Sequence, residues 1–409
     1  MGFREEGKWW VAPANYNEEA VKGLNFPAKI EILDTTLRDG EQQAGIIFTK
    51  EDKIELAKKI DALGVHRMEL GTPAASKEDE EAIRAITKLG LRAKTYAFVR
   101  NVISDIELAK DCGVDGVLAE VPGSNHLIKG GMGWTVEKAI AAAAKATARA
   151  HELGLLVTFF PADSSRADLD FLLNTLQGIL DAGGHMDSIA LVDTFGAFSP
   201  EGAAYTVKKL KQKFGKPVEA HFHEDFGLSV ATTIAALAAG ADVAHVTVNG
   251  IGERAGNCPI ESLVMSLRAL YGIDCGIQCD QLLEVSRAVS ERSNFAIPST
   301  KAIVGTRLFG WETGMPTGLW KNARTIDPLI MLPYHWQFTG QAEPHIYMGK
   351  KSGNANIDIW CEDYGFEIDD ENKKSLLEKV KTLSISLKRD ITKPEFETLL
   401  LECGGRKTE

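Results

Sequence analysis

KIEILDTTLRDGEQQAGIIFTKEDKIELAKKIDALG, residues 29–64, is the stretch on which the fold turns. It opens with a short β-rich run, KIEILD (29–34). A polar loop follows, and then a helical segment with its own start and stop signals. Thr49 and Asp52 stand at capping-box spacing, and Gly64 ends the run. Strand, loop and capped helix within about 35 residues make one βα unit.

The same unit recurs. Strand candidates are KIEILD (29–34), HRMEL (66–70), RAKTYAFV (92–99), GVLAEV (116–121), LLVTFF (155–160), SIALVD (188–193), PVEAHF (217–222) and VAHVTV (243–248). Helical segments lie between them. One opens with Ser199 as N-cap and Pro200 at the first helical position. Gly64, Gly90, Gly113, Gly154 and Gly240 close most of the others. Eight such units in about 240 residues predict a (β/α)8 TIM barrel. A doubly wound open sheet is the rival, but no G-x-G-x-x-G follows the first strand.

Outside that span the alternation fails. Residues 1–28 read as an N-terminal arm, 29–295 as the barrel, and 296–409 as a C-terminal mixed or helical subdomain. The segment DENKKSLLEKVKTLSISLKRDITKPEFETLLLE reads as two helices joined near Lys393-Pro394. The composition is 44% hydrophobic and 25% charged, with a formal net charge of −11, which argues against nucleic acid or an anionic membrane as partner. MGFREEGKWW has no apolar core of a signal peptide, and no run of about 18 apolar residues offers a membrane span. The six cysteines are scattered, so a reduced, cytoplasmic protein is expected. Cys275 and Cys279 lack a second pair at zinc spacing.

In a barrel of this kind chemistry sits where strands end, and there the polar residues gather. Asp34, Arg38, Asp39 and Gln42 follow strand one; Glu69 ends strand two and Arg100 follows strand three. His126 comes after strand four, Asp163 and Arg166 after strand five, Asp193 and Thr194 at the end of strand six. Strand seven carries His221 and His223, and strand eight leads to Glu253, Arg254 and Asn257. Residues i and i+2 of a strand share a face, so His221 and His223 can converge. With a carboxylate such as Asp39 they would make a three-ligand metal set with positions left for substrate oxygens. The alternative is a pair of hydrogen-bonded strand-end histidines. Nitrogen and oxygen donors together suit Zn²⁺, Mn²⁺, Co²⁺ or Mg²⁺. Asp34 is expected to bond loop amides. Arg38 would stabilise a developing enolate or alkoxide, or pair structurally with Glu69. Asn257 would bind metal or cap the helix beginning near Pro259. His126 is a candidate substrate contact, while His66, His151 and His245 are assigned core or surface roles.

LDTTLRDGEQ (33–42), HFHEDFGL (221–228) and NGIGERAGN (249–257) together resemble the signatures of a metal-dependent barrel superfamily. It includes isopropylmalate synthase, homocitrate synthase, citramalate synthase and hydroxymethylglutaryl-CoA lyase. The resemblance runs from about residue 30 to 360 and implies one divalent cation held by Asp39, His221 and His223, with Asn257 as a nearby or direct ligand. It implies that Arg38 stabilises the enolate oxygen and that Glu69 positions Arg38 or the substrate. Asp193 and Thr194 would support the metal site and contact a substrate carboxylate, and the loop with Glu253 and Arg254 would cover the acyl-CoA. Gln42, Arg100, His126, Asp163 and Arg166 complete the expected substrate-binding set. The implied reaction joins an acyl-CoA, acetyl-CoA by expectation, to a 2-oxo acid, giving a 2-hydroxy di- or tricarboxylate and CoA. A homodimer is expected by the same analogy, with the C-terminal region acting as linker, lid and dimer contact.

The sequence also departs from that pattern. Ala162 stands where such synthases usually carry a glutamate, in Ala162-Asp163-Ser-Ser-Arg166. Pro316, in TGMP (313–316), stands where a proton-transfer histidine would be, and Lys351, in GKKSG (349–353), where a histidine is frequent. Two further readings therefore accompany the synthase: a lyase that cleaves the same kind of carbon–carbon bond, and a non-catalytic metal- or ligand-binding relative.

Overall fold

The computed structural model describes residues 2–408. It contains a closed barrel of eight parallel strands. These are β1 (Glu31–Asp34), β2 (Arg67–Glu69), β3 (Lys94–Val99), β4 (Gly116–Pro122), β5 (Leu156–Ala162), β6 (Ser188–Asp193), β7 (Val218–Phe222) and β8 (Val243–Val246). Each pairs with its neighbour in sequence, and β8 closes on β1 with His245 opposite Leu33 and Val246 opposite Asp34. A helix follows every strand, so the fold is the (β/α)8 barrel expected from the repeating unit.

Local chemistry explains the element boundaries. The first barrel helix, α1 (Lys50–Leu63), is N-capped by Thr49, whose hydroxyl accepts from the Asp52 amide while the Asp52 carboxylate accepts from the Thr49 amide. It ends at Gly64, which takes a positive φ of 99°. Its Leu56, Ala57, Ile60 and Leu63 form the stripe buried against the strands. The helix Pro200–Phe214 starts as anticipated, with Ser199 accepting from the Gly202 amide and proline in the first turn. The alanine-rich helix Val136–Glu152 buries Ala139, Ala143, Ala146 and Ala150 in the same way. No helix among the described residues is long and apolar enough to cross a membrane.

Inside the barrel, Leu33, Tyr96, Leu118, Phe160, Ala190, Val192 and Val243 pack into one apolar cluster. Side chains alternate inward and outward along each strand. Residues two further along from these inward ones therefore face the interior, nearer the C-terminal end.

The chain divides into two compact units, Ala14–Ile297 and the described part of Met1–Pro13 with Pro298–Glu409. The second unit has its own core, which includes Trp320, Met348, Ile357, Trp360, Leu376, Val380, Phe396 and Leu400. Its last two long helices are Asp370–Leu387 and Lys393–Glu402, with Pro394 in the first turn of the latter.

Candidate metal and substrate site

Three donor side chains meet at the C-terminal end of the barrel. His221 lies in β7, His223 directly after it, and Asp39 in the loop after β1. Asp39 Oδ2 is 3.2 Å from His221 Nε2 and 3.9 Å from His223 Nε2. Ligand-capable atoms of the three lie within 4.8 Å of one another, the one such group found among the described residues. All three side chains are buried. The loop after β8 joins them, because His223 and Asn257 form an isolated β-bridge. Asn257 Nδ2 donates to Asp39 Oδ1 at 3.0 Å. The helix Ile260–Tyr271 has Pro259 at its N-cap, without a side-chain cap. The helix-capping alternative for Asn257 is thus corrected: its amide is turned toward Asp39 instead.

Whether these residues suit a cation can be judged from the polar atoms left over. His223 Nδ1 and Asn257 Oδ1 are buried without a hydrogen-bond partner. Leaving such atoms unpaired costs about 1–3 kcal/mol each, and at this place they are atoms of a nitrogen–oxygen donor set. The loop backbone presses close as well. Gly252 has φ 155°, and a Cβ there would sit 2.1 Å from Asn257 Nδ2 and 3.3 Å from Asp39 Oδ1. Donor type, convergence, unpaired atoms and the close-packed loop all fit a small cation.

Burial and neighbouring charges set the protonation of these donors. Burial holds His221 in its neutral form, its pKa pushed down to about 3. Burial opposes the charge on Asp39 too, but the Arg38 guanidinium beside it outweighs burial and keeps the carboxyl well below its usual range. A second line of groups fixes the imidazole of His221. Its Nδ1 lies 3.3 Å from Nδ1 of His245, whose Nε2 is 2.7 Å from Glu219 Oε2. Hydrogen bonds from His245 and Ser188 and the charge of Arg67 overcome burial and bring Glu219 to about 2, so it is a carboxylate and can only accept. With His245 donating from Nε2, a neutral His245 accepts at Nδ1, and His221 donates there from its own Nδ1. The lone pair of His221 then lies on Nε2, facing Asp39.

Arg38 forms the other half of the site. Its Nε is 2.8 Å from Glu69 Oε2, and its Nη1 reaches Asp39 Oδ2 and Gln42 Oε1, each at 3.1 Å. The guanidinium lies 4.6 Å from the Phe98 ring centroid and 5.5 Å from that of Phe160. Its Nη2 is buried and unpartnered. The ion pair with Glu69, weighed as an alternative to a role in charge stabilisation, is therefore present alongside a free donor. Burial pushes Glu69 up to about 7 despite Arg38. Asp34 bonds the amide and hydroxyl of Thr36, the loop-holding contact expected of it.

The remaining expected contact residues are held by neighbouring side chains and loop amides. Asp163, fully buried with φ 59°, is gripped by Arg166 at 2.7 and 3.0 Å, by His126 at 2.5 Å and by Ser124 at 3.0 Å. Its amide donates to Thr194 Oγ1 at 2.8 Å. Asp193 accepts from the amides of Ala197 and Phe198. Arg254 pairs with Asp225 and donates to the Thr194 carbonyl, and Glu253 stands 3.7 Å from Arg254. Arg100 is held by Asp105 at 2.7 Å, yet it also lines a cavity of about 210 Å³ with Glu120, Pro122, Leu127, Met132, Trp134 and Ala162.

Four side chains carry contacts that the sequence reading does not assign to them. Glu219 stands two residues before His221 and so shares its inward face, a signal that was available. Arg67 meets Glu219 at 2.9 Å from β2, a contact no spacing could announce. His245 is in the core as expected, but as a hydrogen-bonded link rather than as packing. Glu120 lies inside the strand-four candidate, where it reads as an ordinary strand residue.

Comparison with known proteins follows the same lines. The family model described as HMGL-like matches residues 29–289. A homocitrate synthase of Methanothermobacter thermautotrophicus is 36% identical over 374 residues, spanning 91% of this chain and 93% of the relative. An (R)-citramalate synthase of Methanocaldococcus jannaschii is 37% identical over 381 residues, spanning 93% of this chain and 76% of the relative. Among solved structures, an HMG-CoA lyase from Acinetobacter baumannii in complex with coenzyme A and 3-methylmalate superposes with a TM-score of 0.59. It is 19% identical and covers 68% of this chain and 95% of its own, a likeness of fold.

Proposed function

The chain belongs to the HMGL-like family, and from that premise we propose that it condenses an acyl-CoA with a 2-oxo acid in a divalent-metal-dependent, Claisen-type reaction. The acyl donor is acetyl-CoA, and the products are a 2-hydroxy di- or tricarboxylate and free CoA. The observation that carries this reading is the buried meeting of Asp39, His221 and His223 beside the guanidinium of Arg38.

Asp39, His221 and His223 would hold the cation, with Asn257 as a further oxygen donor. Zn²⁺, Mn²⁺, Mg²⁺ and Co²⁺ all suit this donor set. When bound, the cation supplies Lewis acidity toward the carbonyl of the 2-oxo acid. Arg38, through its free Nη2, stabilises negative charge on the enolate or alkoxide oxygen. Glu69 keeps Arg38 in that orientation through the contact at 2.8 Å. His245 and Glu219 hold His221 in the tautomer that presents Nε2. His126, Arg166 and Thr194 would bind the substrate carboxylate, with Asp163 holding His126 and Arg166 in place and Asp193 shaping the loop beside them. Gln42, Arg100, Glu253 and Arg254 border the acyl-CoA path. The new bond joins the acyl α-carbon to the keto carbon, and hydrolysis of the thioester then frees CoA. A homodimer in which the C-terminal unit serves as lid and contact is the quaternary form this reading carries.

The test is thiol release from acetyl-CoA with a panel of 2-oxo acids bearing methyl, branched alkyl or carboxyalkyl groups. Release with at least one, abolished by a chelator and restored by divalent metal, is expected. Silence with all of them would sink the synthase reading. The lyase alternative draws on the alanine at position 162 and predicts instead cleavage of a 3-hydroxy-3-methylacyl-CoA without thiol release.

A further inference from the structure

We propose that Glu120 is the base that removes the α-proton of the acyl-CoA, an assignment that rests on the condensation reading above. Three observations place it. First, it faces the barrel interior. It lies two residues beyond Leu118, which packs in the interior cluster, and the two share a face. Second, it is one strand from the site. Its Cα is paired in register with that of Phe160, whose ring lies 4.9 Å from His221 and 5.5 Å from the Arg38 guanidinium carbon. Third, it is open to a ligand. It lines the cavity of about 210 Å³ whose wall also includes Ala162, Pro122, Leu127, Met132 and Trp134.

Three other acidic groups at the C-terminal end of the strands are less suited. Glu69 is fully buried and paired with Arg38. Asp39 belongs to the metal set, and Asp163 is gripped by Arg166 and His126. Glu120 is only partly buried, and its ionisation answers to burial and to the charges of Arg38 and Arg100, with no hydrogen bond contributing. Arg38 pairs with Glu69 and Asp39 and Arg100 with Asp105, and none of these contacts engages Glu120. Burial raises Glu120 above the ordinary range, which strengthens it as a base. Its neighbour in register terms is informative too: Pro122 pairs with Ala162. The small side chain at 162 leaves room in the cavity that a carboxylate from the adjacent strand can use.

The step balances within these groups. The α C–H bond breaks and its proton passes to a carboxylate oxygen of Glu120. The C–H electron pair becomes the π bond of Cα=C, the carbonyl π pair moves onto the thioester oxygen, and Arg38 stabilises the negative charge that oxygen then carries.

The test compares wild type with Glu120→Gln on two readouts, thiol release and exchange of acetyl-CoA methyl protons in D2O. Binding of acetyl-CoA by calorimetry and bound metal content are measured beside them. Glu120→Gln should lower both rates by about 10²-fold or more while leaving binding and metal within twofold. Ala162→Glu in the Glu120→Gln background should recover exchange at least tenfold, which also guards against a folding defect in the single variant. An active wild type with Glu120→Gln within threefold of it would overturn this inference alone. A wild type silent in both assays would overturn the condensation reading and this one with it.

Discussion

Asp39 and Glu219 are carboxylates inside one barrel, yet their surroundings differ in kind. Glu219, near the start of β7, is saturated. Arg67 at 2.9 Å, Ser188 at 2.6 Å and Thr158 at 3.2 Å serve Oε1, and His245 at 2.7 Å serves Oε2. Around Asp39, at the opposite end of the strands, His223 Nδ1, Asn257 Oδ1 and Arg38 Nη2 are buried and unpaired. Both centres were costly to desolvate. One has spent its polar capacity on the fold, and the other holds some in reserve for a ligand. The contrast teaches where to look for chemistry: among buried polar groups, the incomplete ones.

That contrast can be broken most directly at Asp39. Asp39→Asn or His223→Ala should lose bound divalent metal, read by elemental analysis, and lower thiol release about 10³-fold, since the lost charge stabilisation is several kcal/mol. Their denaturant midpoints should move little by comparison. Glu219→Gln is the mirror case. Removing the buried charge leaves Arg67 to Glu31 and takes from His245 its anionic acceptor, at a cost of about 3 kcal/mol in unfolding free energy. Metal affinity should fall about tenfold, because the tautomer of His221 is no longer imposed. If Glu219→Gln were fully stable yet dead, the division between the two centres would be wrong.

A smaller effect sharpens the boundary between them. Glu69 is fully buried like Glu219, but its pKa is raised to about 7 rather than lowered. In the folded chain it keeps its proton up to about pH 7, whereas the unfolded chain releases it near 4.5. Between those values the folded state binds more protons, so this group's contribution to stability is full below the lower value and lost as pH rises through the upper one. Chelator-treated wild type should therefore lose thermal stability between pH 5 and pH 7.5 more steeply than Glu69→Gln. Equal slopes would place the pair with the saturated centre instead.

Much of this was legible beforehand, and the reasons are local. The Thr49–Asp52 box, the Ser199–Pro200 start and the helix-ending glycines act over three or four residues, and eight repeats of one unit allow little besides a closed barrel. The pairing of His221 with His223 follows from strand period alone, and the loop at Asp39 from its place after β1. The choice for Asn257 between ligand and cap did not, because it depends on where the loop after β8 returns.

From the sequence itself came the strand count, the barrel, the histidine pair and the family signature, all set by short-range periodicity and by residue type at strand ends. Only the tertiary structure decided which groups meet across strands: Arg67 from β2 with Glu219 from β7, His245 from β8 behind His221, and Glu120 of β4 with Ala162 of β5 in the wall of one cavity. The physical reason is barrel closure. It fixes the register between strands far apart in the chain, and that register, which no single segment encodes, determines which inward side chains share a level and therefore a hydrogen bond.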